Sequence, residues 1–173
     1  MEGLPIETRR LKLRLMRASD LDPLLDIFGD SRVMASFDAA PFTRQQMAGW
    51  LERNLKHQQV HGYGLFSVIL QSNGVLIGDC GLEHMELEGE QVTELGYDFR
   101  SDYWNQGYAT EAAAAVRDFA FNELSLSMLI SLIRAGNEAS RRVSEKIGMR
   151  LISELRIHDI SYWKYGVLRE DAA

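Results

Sequence analysis

The sequence predicts an α/β fold: a mixed, mostly antiparallel sheet with one central parallel crossover and flanking helices. Three observations carry that expectation. Two β-rich runs, Leu65 to Leu70 and Val75 to Leu82, flank a turn containing Asn73-Gly74, the strongest short hairpin signal in the chain. An amphipathic helical pattern just after Gly107 stands between two strand runs, Gln91 to Phe99 and Met128 to Ile133, and a right-handed crossover of this kind makes those strands parallel. A last pair of runs, near Ile152 to Ile157 and Ser161 to Leu168, closes the chain with a hairpin.

Leu11, Leu13 and Leu15 alternate with Lys12, Arg14 and Met16, the period of a strand with one face on a core. Ser19 and Asp22 have the spacing of a capping box. Pro23 is tolerated in a first turn, and Leu21, Leu24, Leu25 and Phe28 form a helical stripe that stops at Gly29. Thr43 and Gln46 make a second capping-box pair ahead of Met47, Trp50, Leu51 and Leu55, on a helix ending at Gly62. Phe37 to Phe42 reads as an irregular loop whose aromatics either wall a pocket or simply pack. A turn at Glu88-Gly89-Glu90 leads into Gln91 to Phe99, where Leu95, Tyr97 and Phe99 face one side and Glu94, Gly96 and Asp98 the other. Ala109, Ala112, Ala113, Val116, Phe119 and Ala120 define the long helix, which ends near Asn122. A short helix from Ser140 to Ile147 ends at Gly148.

The 173 residues are 46% hydrophobic and 25% charged, as expected of one globular domain over residues 1–173 that needs no disulfide or structural metal. Lys and Arg number 19 against 25 Asp and Glu, a net charge of −6. That is the wrong sign for tracking nucleic-acid phosphates and a weak attraction for a basic acceptor. One cysteine, Cys80, and four histidines supply neither a disulfide nor a tetrahedral zinc set, so no metal is expected. Met1 to Arg17 lacks a continuous apolar segment, and no stretch approaches the ~20 residues of a membrane span, so the chain reads as cytoplasmic.

The stretch Tyr103-Trp104-Asn105-Gln106-Gly107-Tyr108-Ala109-Thr110-Glu111 leads directly into the long helix. A helix N-terminus offers unpaired N–H groups and the positive end of the dipole, and Gly107 leaves room for a close anion. Taken alone, the glycine also fits an ordinary turn. A Walker lysine and a complete G-x-G-x-x-G are absent, which leaves nucleotide hydrolysis and dinucleotide redox chemistry without support. Cys80 and His84 lie four residues apart on one strand, about 13 Å, too far for a nucleophile and its base.

That stretch, together with Glu7 to Arg14, Glu94-Leu95-Gly96-Tyr97 and Asn137 to Met149, resembles the GNAT superfamily of acyl-CoA-dependent N-acetyltransferases. Most of the chain is similar to its RimJ/RimL-type branch, which acetylates ribosomal-protein N-termini. Trp104 and Ala109 stand where the general pattern has Gln or Arg and Gly, a change that leaves the backbone donors in place. The resemblance implies acetyl-CoA as co-substrate, its diphosphate held by Gln106, Gly107, Tyr108, Ala109 and Thr110. It implies pantetheine beside Asp98, Phe99 and Arg100 and in contact with Asn137. Gly96 suits either a bulge where the strand bends away or a packing contact. Ser140 is the expected helix N-cap and, by the resemblance, a donor to the departing thiolate; many relatives carry Tyr where this chain has Ser144. Arg141 and Arg142 suit either the CoA 3′-phosphate or a solvated helix face.

The implied reaction is direct attack of a neutral amine on the acetyl thioester in a ternary complex. It needs an oxyanion donor, expected from backbone N–H groups near Tyr97 to Phe99, and a route for the amine proton. Glu94 is the candidate base, on the strand that leads into the bend and opposite in face to Leu95; the other reading is a half-exposed glutamate in a salt bridge. His158 and Asp159 are reserve candidates for base or acceptor recognition. An α-amine is roughly 10 to 20% neutral at pH 7, against well under ~0.1% for lysine. A peptide N-terminus or a small amine is therefore the expected acceptor. The competing class is a non-catalytic acyl-CoA-binding sensor or interaction module, and the expected assembly is a monomer or homodimer.

Overall fold

The computed structural model describes residues 2–172; Met1, at the head of the Met1 to Arg17 segment, and Ala173, the end of the expected 1–173 unit, lie outside them. In chain order the elements are β1 (Ile6–Glu7), β2 (Leu11–Leu15), α1 (Leu21–Phe28), α2 (Ser31–Met34), α3 (Arg44–His61), β3 (Leu65–Leu70), β4 (Leu76–Leu87) and β5 (Glu90–Phe99). Then come α4 (Tyr108–Asn122), β6 (Met128–Arg134), α5 (Glu138–Lys146), β7 (Arg150–Ile157) and β8 (Ile160–Leu168). The strands form one sheet in the order β1-β2-β3-β4-β5-β6-β8-β7. Among the described residues β5 and β6 are its one parallel pair, joined through α4 as the crossover rule requires.

Local chemistry explains most boundaries and corrects some. Leu87 pairs with Glu90, so β4 runs five residues beyond Leu82 and closes on a two-residue turn in which Glu88 and Gly89 both have positive φ, 52° and 80°. That is the primed geometry whose twist matches a hairpin, and it lets the pairing zip fully to the turn. Thr43 and Gln46 cap α3 reciprocally, with Gly62 in the left-handed region at its end. The capping pair expected from Ser19 and Asp22 does not form. A single 3-10 turn, Ala18–Asp20, precedes α1 instead, and Asp20 accepts the Arg17 N–H at 2.9 Å because its carboxylate is drawn into a buried ion pair. At α5 the N-cap is Asn137, whose Oδ1 accepts the Ser140 N–H at 3.2 Å, so Ser140 sits in the first turn and not at the cap. α2 is one turn long and too short to show a period.

Around β3 and β4 the sheet is covered on both faces. Phe66 and Val68 of β3 pack with Leu13, Leu82, Leu95 and the buried stripe of α4, while the alternate residues Leu65 and Ile69 pack with Leu24, Phe28, Met47 and Leu51 of the α1 to α3 layer. On that second face a polar row crosses four strands: Arg14 is opposite Ser67, Ser67 opposite Asp79, and Asp79 opposite Asp98. Asp20 anchors one end. It is 3% exposed and accepts two N–H bonds from Arg14 at 2.8 Å each and the Ser67 hydroxyl at 2.8 Å.

Burial opposes ionisation of Asp20, but the bonds from Arg14, Arg17 and Ser67 outweigh it and hold the carboxyl below its ordinary range. This stabilisation is complete above the unfolded carboxylate pKa of about 4 and is lost as pH falls through the lower folded value. Asp20→Ala leaves Arg14 charged, mostly buried and unpaired. It lowers the unfolding free energy by about 3–5 kcal/mol, a fall in calorimetric midpoint on the order of 10 °C, whereas Asp20→Asn, still accepting from Arg17 and Ser67, loses less.

Candidate active site

β5 and β6 meet at a single register position, Glu94 opposite Ile130. Side chains replace the ladder just beyond it. The Leu132 N–H donates to Glu94 Oε1 at 3.3 Å, and the buried Ser131 hydroxyl donates to the Leu95 carbonyl at 2.7 Å. From Gly96 onward β5 keeps β4 as its sole strand partner among the described residues, so its β6-side edge faces a gap as far as Phe99. The β4 to β5 register runs unbroken through Gly96, and a Cβ there would meet nothing within 4 Å. Gly96 is therefore neither a bulge nor a packing glycine; it leaves open floor. A cavity of about 920 Å³ follows the gap, bounded by the start of α4, by α5, and by Phe28, Phe42 and Trp50 from the helical layer.

The entrance to α4 is held by residues a hundred positions away. Gly107 caps the helix at φ 84° with no side-chain cap, which leaves the first-turn N–H groups of Tyr108, Ala109 and Thr110 without one. Glu111 accepts from the Thr8 hydroxyl at 2.7 Å and from the Arg10 backbone and guanidinium at 2.9 and 2.7 Å. Burial works against ionisation of Glu111, and these donors nevertheless hold its pKa low. Arg10 also donates to the Gln106 carbonyl at 2.9 Å and lies 4.2 Å over the Tyr108 ring, while Trp104 Nε1 donates to the Phe99 carbonyl at 2.9 Å. Arg10 and Trp104 thus tie the loop to β5 and to the start of the chain, which fixes where α4 begins.

The other end of the gap is acidic. Glu83 is opposite Glu94 and Asp79 opposite Asp98, all four on the face of the sheet that carries the helical layer. Burial, then the Glu83 charge, pushes the Glu94 carboxyl up to about 7, against the Leu132 N–H bond, which favours the anion. Burial raises Glu83 and Asp98 as well. Asp79 is wholly buried and neither of its oxygens has a hydrogen-bond partner among the described residues. Burial, then the neighbouring Asp98 and Glu83 charges, pushes its pKa well above the ordinary carboxylate value.

Of the residues expected from sequence, Glu94, Asp98, Phe99, Gly107, Tyr108, Ala109, Thr110, Asn137 and Ser140 all line this one cavity; Arg100 and Gln106 adjoin it in the chain. Ser144 is buried outside it, its hydroxyl without a hydrogen-bond partner among the described residues. Arg142 lines it, whereas Arg141 is paired with Glu138 at 2.7 Å and lies 5.8 Å over Trp163. Phe37 and Phe42 both wall the cavity, and Phe42 also stacks on Phe28. His158 and Asp159 form the left-handed two-residue turn between β7 and β8 and are exposed; neither lines the cavity, although their neighbours Ile157 and Ile160 do. Sequence reasoning missed Tyr97 as a strut across the gap, its hydroxyl donating to the Ser140 carbonyl at 3.0 Å. It also missed Asp79 and Glu83, although counting back from the Glu88-Gly89 turn would have placed both opposite known residues.

The acetyltransferase (GNAT) domain family matches residues 10–150 of the chain. The uncharacterized protein YkkB of Bacillus subtilis (strain 168) is 35% identical over 150 residues, 86% of this chain and 87% of that one. Among solved structures, the GNAT-family acetyltransferase from Bacillus anthracis superposes with a TM-score of 0.81 at 29% identity, covering 95% of this chain and 98% of its own. The ribosomal-protein-S5-alanine acetyltransferase from Vibrio fischeri superposes with a TM-score of 0.78 at 17% identity over 97% of this chain and 98% of its own, a likeness of fold alone. The chain belongs to the GNAT acetyltransferase family and is an acetyl-CoA-dependent N-acetyltransferase.

Proposed function

We propose that the enzyme transfers acetyl directly from acetyl-CoA to a primary amine in a ternary complex, with the two substrates meeting where β5 parts from β6. One observation supports this above all: a single cavity runs from the uncapped first turn of α4 to the raised carboxyl of Glu94. Acetyl-CoA, when bound, supplies the activated acetyl thioester. The N–H groups from Gln106 to Thr110 suit its diphosphate, and the unpaired edge at Asp98, Phe99 and Arg100 suits the pantetheine amides as a short added strand. Asn137 has its Oδ1 engaged with Ser140, which leaves its Nδ2 donors for a pantetheine carbonyl.

Glu94 accepts the proton of the incoming ammonium, and the freed nitrogen lone pair forms the new C–N bond as the C–S bond breaks. The second proton that the nitrogen sheds on becoming an amide passes to the departing sulfur, so that CoA leaves as the thiol. Backbone N–H groups of the parted strand near Tyr97 stabilise the carbonyl oxygen. Ser140 lines the cavity and Ser144 does not, so Ser140 is the hydroxyl assigned to the leaving thiolate. A carboxyl with a pKa of about 7 is matched to the task, since half of it is base at neutral pH while it still binds a proton well.

For wild type, acceptor kcat/KM rises with pH through about 7 as Glu94 ionises. Glu94→Gln abolishes that limb and lowers the rate by about 10²–10⁴-fold, with acetyl-CoA affinity retained in equilibrium binding. The same substitution acts oppositely on stability. A carboxyl whose folded pKa is raised favours folding fully below its unfolded value near 4.3 and loses that contribution as pH rises through the folded pKa. Glu94→Gln therefore raises the calorimetric midpoint at pH 8 by more than at pH 5. Ala109→Pro removes one first-turn N–H that has no place in the α-helical ladder. It weakens acetyl-CoA binding by about tenfold or more, measured by isothermal calorimetry, with far-UV dichroism unchanged.

A further inference from the structure

The cavity is lined by both signs of charge, and they are segregated. Arg142 and Lys146 lie one turn apart on α5, and Arg134 ends β6, its guanidinium donating to the Phe37 carbonyl at the rim. Glu83, Glu94 and Asp98 lie on the β4 and β5 floor. An anionic coenzyme accounts for the basic side. One reacting ammonium accounts for one carboxylate, Glu94, and leaves Glu83 and Asp98 without an occupant.

Three features show what the remaining acids fit. Asp79 stands opposite Asp98 behind the cavity lining, wholly buried, and neither of its oxygens has a hydrogen-bond partner among the described residues, so no donor or cation of the protein neutralises it. Gly96, between Glu94 and Asp98 on the same face, has open space where a side chain would stand, so the two acid pairs are joined by clear floor about 13 Å long in backbone terms. Above the floor Phe28 lies 5.5 Å from Phe42 and 4.8 Å from Trp50, ring centre to ring centre, and all three line the cavity. Carboxylates beneath aromatic walls favour an alkylammonium, which gains from both.

We propose that the acceptor is a small molecule carrying at least two ammonium groups, and that Glu83 and Asp98, backed by Asp79, hold the ammonium that does not react. This rests on the transfer reading above and narrows its substrate class. A peptide N-terminus with an apolar first residue brings one charge and leaves the floor unmatched; a linear diamine or a diamino sugar brings the second.

The test compares thiol release from acetyl-CoA with 1-aminobutane, 1,4-diaminobutane, the cyclic diamine 2-deoxystreptamine and an alanine-tipped peptide. Either diamine should exceed 1-aminobutane at least tenfold in kcat/KM, and which diamine wins distinguishes a linear from a cyclic source. Glu83→Gln and Asp98→Asn should each collapse the diamine-to-monoamine ratio by tenfold, a ratio that general damage to the enzyme does not move. Calorimetric titration of each amine into the full chain reads the floor without turnover, and the same tenfold preference and its loss in both variants are expected. Equal binding and turnover of monoamine and diamine, a ratio unaltered in both variants, or a peptide preferred over both diamines overturns the proposal. Failure to bind acetyl-CoA would instead overturn the transfer reading, while the amine titration still decides this one.

Discussion

A parallel sheet needs a continuous ladder, and here the ladder between β5 and β6 is ended after a single pairing. The Ser131 hydroxyl takes the Leu95 carbonyl and Glu94 takes the Leu132 N–H, so side chains satisfy groups that the strands would otherwise offer one another. The strands can then part without leaving those buried groups orphaned. Everything at the site depends on this substitution. It opens an edge on which an extended ligand can pair, sets Glu94 at the origin of the opening, and directs the crossover into α4 so that the helix N-terminus faces the same cavity. Tyr97 then spans the opening to the first turn of α5, fixing its width from the other side.

The face that carries this opening is locally in conflict with folding. Asp20 and Arg14 show how the same layer treats acids elsewhere: a buried carboxylate is given a guanidinium, a backbone N–H and a hydroxyl. Two strands further in, Asp79 and Asp98 occupy the continuation of that row and receive no cation among the described residues. Burying acids without partners costs stability at any pH at which they ionise. Such a departure from local consistency is what sites of chemistry tend to show, and it coincides with the cavity that the strand geometry defines independently.

Much of this was legible in the chain. Alternation along Gln91 to Phe99 separated Glu94 and Asp98 from the core residues, and the alanine-rich period after Gly107 located α4 to the residue, because burial patterns of a long helix and a hairpin are written in adjacent positions. Illegible features were those that need the third dimension. Asn137 and Ser140 are both good capping residues, and choosing between them requires knowing where the backbone turns. Thr8, Arg10 and Glu111 appear in separate motifs, yet their meaning lies in a cluster spanning 101 to 103 residues. His158 and Asp159 carry attractive chemistry, but a two-residue turn with both φ values positive fits their spacing equally well and points them at solvent.

On the proposed reading, in which Glu94 is the base, the acid floor also bears on when that base is available. With nothing on it, Glu94 shares its surroundings with Glu83 and Asp98, and their mutual repulsion adds to burial in keeping protons on the group. A cation seated among them would replace that repulsion with attraction, and the pKa of each carboxyl would fall toward its ordinary value. With the proposed acceptor, Glu94 would be ionised when an ammonium is at hand and closer to neutral when the cavity is empty, tying readiness of the proposed base to arrival of the acceptor. No moving part is required for this coupling. Coulombic interaction among groups already fixed by the β4 to β5 register is sufficient, and the rigid hairpin that sets the register is what keeps it in place.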